Sequence, residues 1–187
     1  MMTGSQYIES LRELKTEVYF MGERLAGVVD HPAIRPHINA AAVTYDLATD
    51  PAHGDLARAT SHLTGRPINR WTHVPRTQDD LVKKAKMMRV AGRITGTCFQ
   101  RCVGMDALIT LHSVTHDVDQ KHGTAYHERF KKFLVETQDR DLMSDGAMTD
   151  PKGDRSKRPH EQHDPDLFVR VVERREDGIV VRGAKMH

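Results

Sequence analysis

Cys98 and Cys102 are the only thiols in a chain of 187 residues, four apart in Thr-Cys-Phe-Gln-Arg-Cys-Val-Gly-Met-Asp. On a helix, a step of four turns the second side chain only about 40° from the first. Both thiols would then face one way, within reach of a common ligand. The span is too short for a useful disulfide staple in a chain able to build its own core. Spacing alone leaves two readings: a pair of small core residues, as free cysteines often are, or a pair of ligands. Zinc is the obvious metal rival, because His112 and His116 repeat the step and complete Cys-x3-Cys-x9-His-x3-His. On a continuous helix, though, the ten residues from Cys102 to His112 span roughly 15 Å, whereas zinc ligands lie about 2.0–2.3 Å from one ion. Only a sharp break at Gly104 would rescue that set.

A second segment, Asp-Gly-Ala-Met-Thr-Asp-Pro-Lys-Gly-Asp-Arg (145–155), is small, polar and turn-forming. It reads either as a plain linker or as a loop at a domain junction. In the second case its backbone donors, with Thr149, Lys152 and Arg155, would approach a phosphorylated or heteroaromatic cofactor. The twelve histidines are otherwise scattered over loops and polar faces and read as solvated. His160 and His163 flank a charged loop and are assigned no role. No Gly-x-Gly-x-x-Gly, Walker loop, Gly-x-Ser-x-Gly or His-Glu-x-x-His is present, so a standard Rossmann or hydrolase site is not in view.

The elements that must position these residues are mostly helical. Tyr7, Ile8, Leu11, Leu14, Val18 and Met21 recur at three-or-four spacing and predict one helix with Thr3 or Ser5 as its cap. A second helix is expected after Asp30, with Pro32 in its first turn, stopping before Asp50-Pro51. Residues 52–75 read as short helical pieces and loop. Thr77-Gln-Asp-Asp is a variant capping box. It opens an apolar stripe through Leu81, Ala85, Met88, Phe99, Cys102, Val103, Leu111, Val114 and Val118, with an interruption expected near Gly92–Gly96 or Gly104. Another helix should run from Tyr126 to about Thr137. Residues 152–166 lack any aliphatic or aromatic side chain and must be loop. Two β-rich runs around Glu176-Asp177-Gly178 then predict a hairpin. A lone hairpin is marginal in water, so the chain reads as the front part of something longer.

Charge excludes some partners. There are 28 Lys and Arg against 26 Asp and Glu, a net of +2, with no long block of one sign. The footprint of a nucleic-acid or anionic-membrane binder is missing. No apolar run approaches a membrane span, and the first residues carry neither a basic leader nor an apolar core, so the expected location is cytoplasmic.

Five stretches together resemble a known family. They are Gln-Tyr-Ile-Glu-Ser-Leu-Arg (6–12), Asp-His-Pro-x-Ile-Arg-Pro (30–36), Cys-Phe-Gln-Arg-Cys-Val-Gly-Met-Asp-Ala (98–107), the 145–155 segment, and Arg-Glu-Asp-Gly-Ile-Val-Val-Arg-Gly-Ala-Lys (175–185). They resemble the amino-terminal part of the 4-hydroxybutyryl-CoA dehydratases, within the wider family of flavin-dependent 4-hydroxyphenylacetate 3-hydroxylases. The resemblance implies a mainly α fold similar to acyl-CoA dehydrogenase. Residues 1–143 would form its N-terminal helical domain and residues 144–187 the first strands of a middle β-domain, in a homotetramer. It implies FAD and a [4Fe-4S] cluster, with Cys98 and Cys102 as two cluster ligands and a histidine and a further cysteine supplied from beyond residue 187. Iron–sulfur clusters are held mainly by thiolates, which suits such a pair. Met148, Thr149, Asp150, Pro151, Lys152, Gly153, Asp154 and Arg155 would contact the flavin, and His187 would open a further flavin-contacting turn. The implied reaction converts 4-hydroxybutyryl-CoA to crotonyl-CoA, with isomerisation of vinylacetyl-CoA at the same site. The implied partner is thus an acyl-CoA, with no nucleic acid and no membrane. No catalytic side chain is assigned within these residues. Two other readings remain: a flavin-dependent aromatic monooxygenase, which would have no use for the two thiols, and an inactive fragment or helical binding module.

Overall fold

The computed structural model describes residues 1–186; His187 lies outside the described residues. The chain divides into two compact units, Met1–Asp145 and Gly146–His187.

In the first unit, α1 (Gly4–Arg12) starts at Thr3, whose hydroxyl accepts from the Gln6 N–H while the Gln6 side chain accepts from the Thr3 N–H. The expected continuation to Met21 does not form. Val18, Tyr19 and Phe20 favour extended backbone, and Met21 and Gly22 take positive φ angles of 53° and 86°. That is the primed turn that closes a tight hairpin, here between β1 (Tyr19–Phe20) and β2 (Glu23–Arg24). The next helix, α2 (Arg35–Asp46), begins later than expected. Pro36, not Pro32, occupies its first turn, and Asp30 forms a bidentate pair with Arg12 instead of capping. Its buried face carries Ile38, Ala41, Ala42 and Tyr45.

A single turn, α3 (Gly54–Ala57), leads into a hairpin of β3 (Arg58–Thr60) and β4 (Pro67–Asn69). Sequence reading misses this hairpin because its strands are three residues long and show no alternation. The capping box at Thr77 forms with Asp80 and opens α4 (Gln78–Thr95). Gly96, at φ 61°, ends that helix in the left-handed conformation, at the expected interruption. The chain stays non-helical to Arg101, and α5 (Cys102–His122) and α6 (Tyr126–Asp139) follow.

The break shifts the helical phase, so a stripe read straight across it faces the wrong way in α5: Leu111 and Val114 are exposed, while Met105 and Leu108 point inward. In α4 the inward residues are Met87 and Ala91, and Leu81 is exposed. One core joins Leu47, Ala57, Trp71, Met87, Ala91, Phe99 and Met105. A second joins Tyr7, Val29, Ile38, Ala41 and Tyr45, and a third Val74, Leu108, Phe130 and Leu134.

In the second unit, β5 (Arg170–Arg174) and β6 (Ile179–Arg182) form the expected hairpin, with an irregularity between Val171 and Glu173. Thr149 and Met186 make an isolated antiparallel bridge. Among the described residues no helix is long and apolar enough to cross a membrane.

Candidate cofactor and metal-binding site

Cys98 is not helical: it lies in the connection between α4 and α5, and Cys102 is the first residue of α5. The expectation that both thiols share a helix face is therefore wrong in its premise. They still come together, because Gln100 adopts a positive φ of 62° and folds the connection back. Burial pushes the Cys102 thiol up in pKa, and the neighbouring Cys98 thiol adds to the shift. Both cysteines are free. Cys98 is exposed, against the reading of two sealed core residues, and Cys102 touches the edge of the first core.

Two inward-facing residues fasten this connection. Phe99 is buried with its ring 5.0 Å from that of Trp71. Arg101 is 1% exposed, its guanidinium lies 4.1 Å above the Tyr45 ring, and its Nη2 donates to Asp141 Oδ1 at 2.5 Å. The other Asp141 oxygen accepts from the Met2 N–H at 3.0 Å. A buried cation needs such a partner, since an isolated one would be too costly to desolvate. Burial also lifts the Tyr45 phenol above its ordinary pKa, against the pull of Arg101. Gly104 lets the 141–145 segment reach α5: a Cβ there would sit 1.8 Å from the Ser144 carbonyl oxygen.

The helix α5 runs unbroken from Cys102 to His122. Gly104 therefore makes no break, and the four-residue zinc set is ruled out by the axial separation of Cys102 and His112. Among the described residues no group of three or more His, Cys, Asp or Glu could hold a metal by itself. Two thiols are half of a cluster's ligand set, and their softness and adjacency fit iron–sulfur chemistry.

In the second unit, the 148–155 stretch is extended at Thr149, which bridges to Met186, and is held from there by side chains. The Gln162 side chain accepts from the Asp154 N–H and donates to the Asp154 carbonyl, both at 2.9 Å. Lys185 Nζ donates to the Met148 carbonyl at 3.2 Å and to Asp150 Oδ1 at 2.6 Å. Gly153 has no room for a side chain, as a Cβ would come within 2.6 Å of Gln162 Oε1. Lys152 and Arg155 are exposed and make no ion pair among the described residues. Their charges fit a flavin's diphosphate.

Sequence reading did not find the clamp around Arg101. Asp141 lies 40 residues from its partner, and no local pattern announces such a pair.

The family model described as 4-hydroxyphenylacetate 3-hydroxylase N terminal matches residues 3–187. The chain is 57% identical over all its residues to the 4-hydroxybutyryl-CoA dehydratase/vinylacetyl-CoA-Delta-isomerase of Clostridium aminobutyricum, covering 38% of that protein. It is 28% identical over 98% of its length to the oxygenase component of 4-hydroxyphenylacetate 3-monooxygenase from Geobacillus sp., covering 37% of it. Among solved structures, an oxygen-tolerant archaeal 4-hydroxybutyryl-CoA dehydratase from N. maritimus superimposes with a TM-score of 0.89 at 55% identity, over 98% of this chain and 36% of that one. A 4-hydroxyphenylacetate 3-monooxygenase oxygenase component complexed with FAD and 4-hydroxyphenylacetate gives 0.75 at 25% identity, over 100% of this chain and 38% of that one. The chain thus spans little more than a third of the length of these relatives.

Proposed function

We infer function from one premise, that the chain belongs to the 4-hydroxyphenylacetate 3-hydroxylase N-terminal family. Within that family we propose that it is the amino-terminal part of an enzyme that dehydrates 4-hydroxybutyryl-CoA to crotonyl-CoA and isomerises vinylacetyl-CoA. The observation that carries this choice over an aromatic monooxygenase is the pair of neighbouring thiols, Cys98 and Cys102, held on the outer side of a loop whose alternate residues are buried. A hydroxylase has no need of them. The relatives bearing monooxygenase names also share far less sequence with this chain than those bearing the dehydratase name.

On this reading Cys98 and Cys102 hold one edge of a [4Fe-4S] cluster, with a histidine and a third cysteine contributed from outside these residues. The stretch from Met148 to Arg155 meets FAD, with Lys152 and Arg155 facing its diphosphate and Thr149 offering a hydroxyl. His187 would add a further flavin contact. When bound, the cluster supplies a Lewis acid for the departing hydroxyl and the flavin an electron acceptor and donor. The work of this chain's own residues is positional. Phe99 and Arg101 bury themselves and so orient the thiols, Asp141 neutralises the guanidinium behind them, and Gln162 and Lys185 shape the flavin-facing stretch. Residues 1–143 would be the helical domain of an acyl-CoA dehydrogenase-like fold, and β5 and β6 the opening strands of its middle β-domain. The complete enzyme would be a cytoplasmic homotetramer.

The test is anaerobic purification of the longer protein. We expect brown material containing iron and acid-labile sulfide, both lost in Cys98→Ser and Cys102→Ser. Yellow material with flavin but no iron would overturn the assignment in favour of a monooxygenase. The 187-residue chain alone, lacking half of the ligands, should show no turnover of 4-hydroxybutyryl-CoA and should lose FAD on gel filtration.

A further inference from the structure

Two histidines of the rejected zinc set, His112 and His116, and two others read from sequence as solvated, His62 and His127, converge on one surface cavity of about 450 Å3, well away from the thiols along α5. His62 arrives from the turn after β3, His112 and His116 from successive turns of α5, and His127 from the start of α6. Ring centroids are 5.3 Å apart for His62 and His112, 4.9 Å for His112 and His127, and 5.5 Å for His116 and His127, all close to edge-on. Arg76 and Lys131 line the same cavity.

The charge there is not balanced from within. Lys131 is paired with Glu128 at 2.5 Å, but the Arg76 side chain makes no ion pair among the described residues. The one carboxylate in the lining, Asp117, is turned onto His116 Nδ1 at 3.2 Å, and the nearby Asp119 carboxylate, which faces His127, is taken up by the Thr124 hydroxyl and the Tyr126 and His127 N–H groups. The buried His73, a charge neighbour of His62, has its Nε2 3.2 Å from Asp80 Oδ1. Burial lowers the pKa of both His62 and His112, and Arg76 and the neighbouring imidazoles lower them further. His127 is fixed in its tautomer: the Thr115 hydroxyl donates to the Leu111 carbonyl at 2.6 Å, so it accepts from His127 Nδ1 at 3.0 Å. That leaves Nε2 of His127 unused by this pairing. Charging these imidazoles beside a guanidinium with so little negative charge in the lining is unfavourable unless an anion completes the set.

We propose that the cavity formed by His62, Arg76, His112, His116, His127 and Lys131 is a binding site for a phosphoryl oxyanion, taken up together with protons on the imidazoles. A tetrahedral dianion needs several donors converging from different directions, which one helix face cannot provide but this meeting of α5, α6 and two loops can. The guanidinium offers a fork suited to two phosphate oxygens. An anion relieves the repulsion that holds the His62 and His112 rings neutral, so by linkage they take up protons with it and affinity for the dianion rises as pH falls. A transition metal fits less well, because no three ligating side chains there have metal-holding geometry. Free phosphate and the phosphate ester of a nucleotide-bearing ligand such as CoA share this chemistry. The site does not depend on the dehydratase reading.

The test is calorimetric titration of the purified protein with inorganic phosphate and, separately, with CoA, at about pH 6 and about pH 8. Repeating each in two buffers of different ionisation enthalpy counts the protons. At about pH 8, where phosphate is already the dianion, binding should be accompanied by net proton uptake, and affinity for the dianion, corrected for the ligand's own second ionisation, should be about tenfold higher at about pH 6. Arg76→Gln should weaken it about tenfold and Arg76→Lys less, as loss of the fork predicts. His112→Gln should reduce the proton uptake, while Lys86→Gln, on the exposed side of α4, should change nothing. Whichever of phosphate and CoA binds more tightly identifies the source, and either supports the site. Absence of both, binding indifferent to Arg76 and His112, or stoichiometric zinc lost in His112→Gln without any anion binding would each overturn it.

Discussion

Asp141 is where one atom's loss should be felt most in this molecule. Asp141→Asn leaves the Arg101 guanidinium 1% exposed and without its charge partner, which costs about 3 kcal/mol when a buried pair is broken. A loss of unfolding free energy of that size is expected from denaturant titration, and Arg101→Met/Asp141→Leu together should recover much of it. Gly104→Ala should be worse still for its size, because the added methyl would lie 1.8 Å from the Ser144 oxygen and one of the two segments must move. His112 gives a pH signature. Burial, followed by His127 and its other cationic neighbours, holds its pKa down to about 4 from an ordinary 6.5. The unfolded state therefore binds the proton first. The stability His112 carries as a neutral ring is complete above about pH 6.5 and is lost as pH falls towards about 4. Allowing for its partial exposure, the loss should be about 1 kcal/mol, and a His112→Gln melting curve should be flatter over that window.

At the scale of elements, helix starts marked by a capping box and helices with clean apolar spacing, such as α6 (Tyr126–Asp139), were legible in the sequence, while helix ends set by a competing turn were not. Thr77 and Asp80 satisfy each other's backbone partners, and the helix they open begins where the residues predict. Thr77→Ala should cost about 1 kcal/mol, read as a fall in melting temperature. By contrast, the first helix ends nine residues before Met21 because the competing signal, a primed turn, needs a positive φ at a methionine, which residue type does not advertise. The Cys98–Cys102 pair was found for a reason that proved incorrect: four-residue spacing on a helix. A left-handed Gln100 achieves by backbone reversal what helical periodicity would have achieved by rotation. The Arg101 clamp and the imidazole cavity were invisible because each is assembled from segments far apart in the chain.

Across the whole molecule, the two units expose apolar side chains that an isolated chain would leave wet, among them Leu111, Val114, Phe133, Val171 and Val181. If these residues are the leading third of a larger enzyme, a hydrophobic dye should bind strongly to the 187-residue chain and weakly to the longer protein. The alternation of the α4–α5 connection has a further consequence for how genes of this kind can change. Phe99 and Arg101 face inward only because an odd number of steps separates each from the neighbouring cysteine. Inserting or deleting a single codon between them would exchange inside for outside, bury a sulfur and expel a guanidinium into solvent. Length variation should therefore be lethal to this connection, while the exposed hairpin tip at Met21 and Gly22 should accept added residues freely.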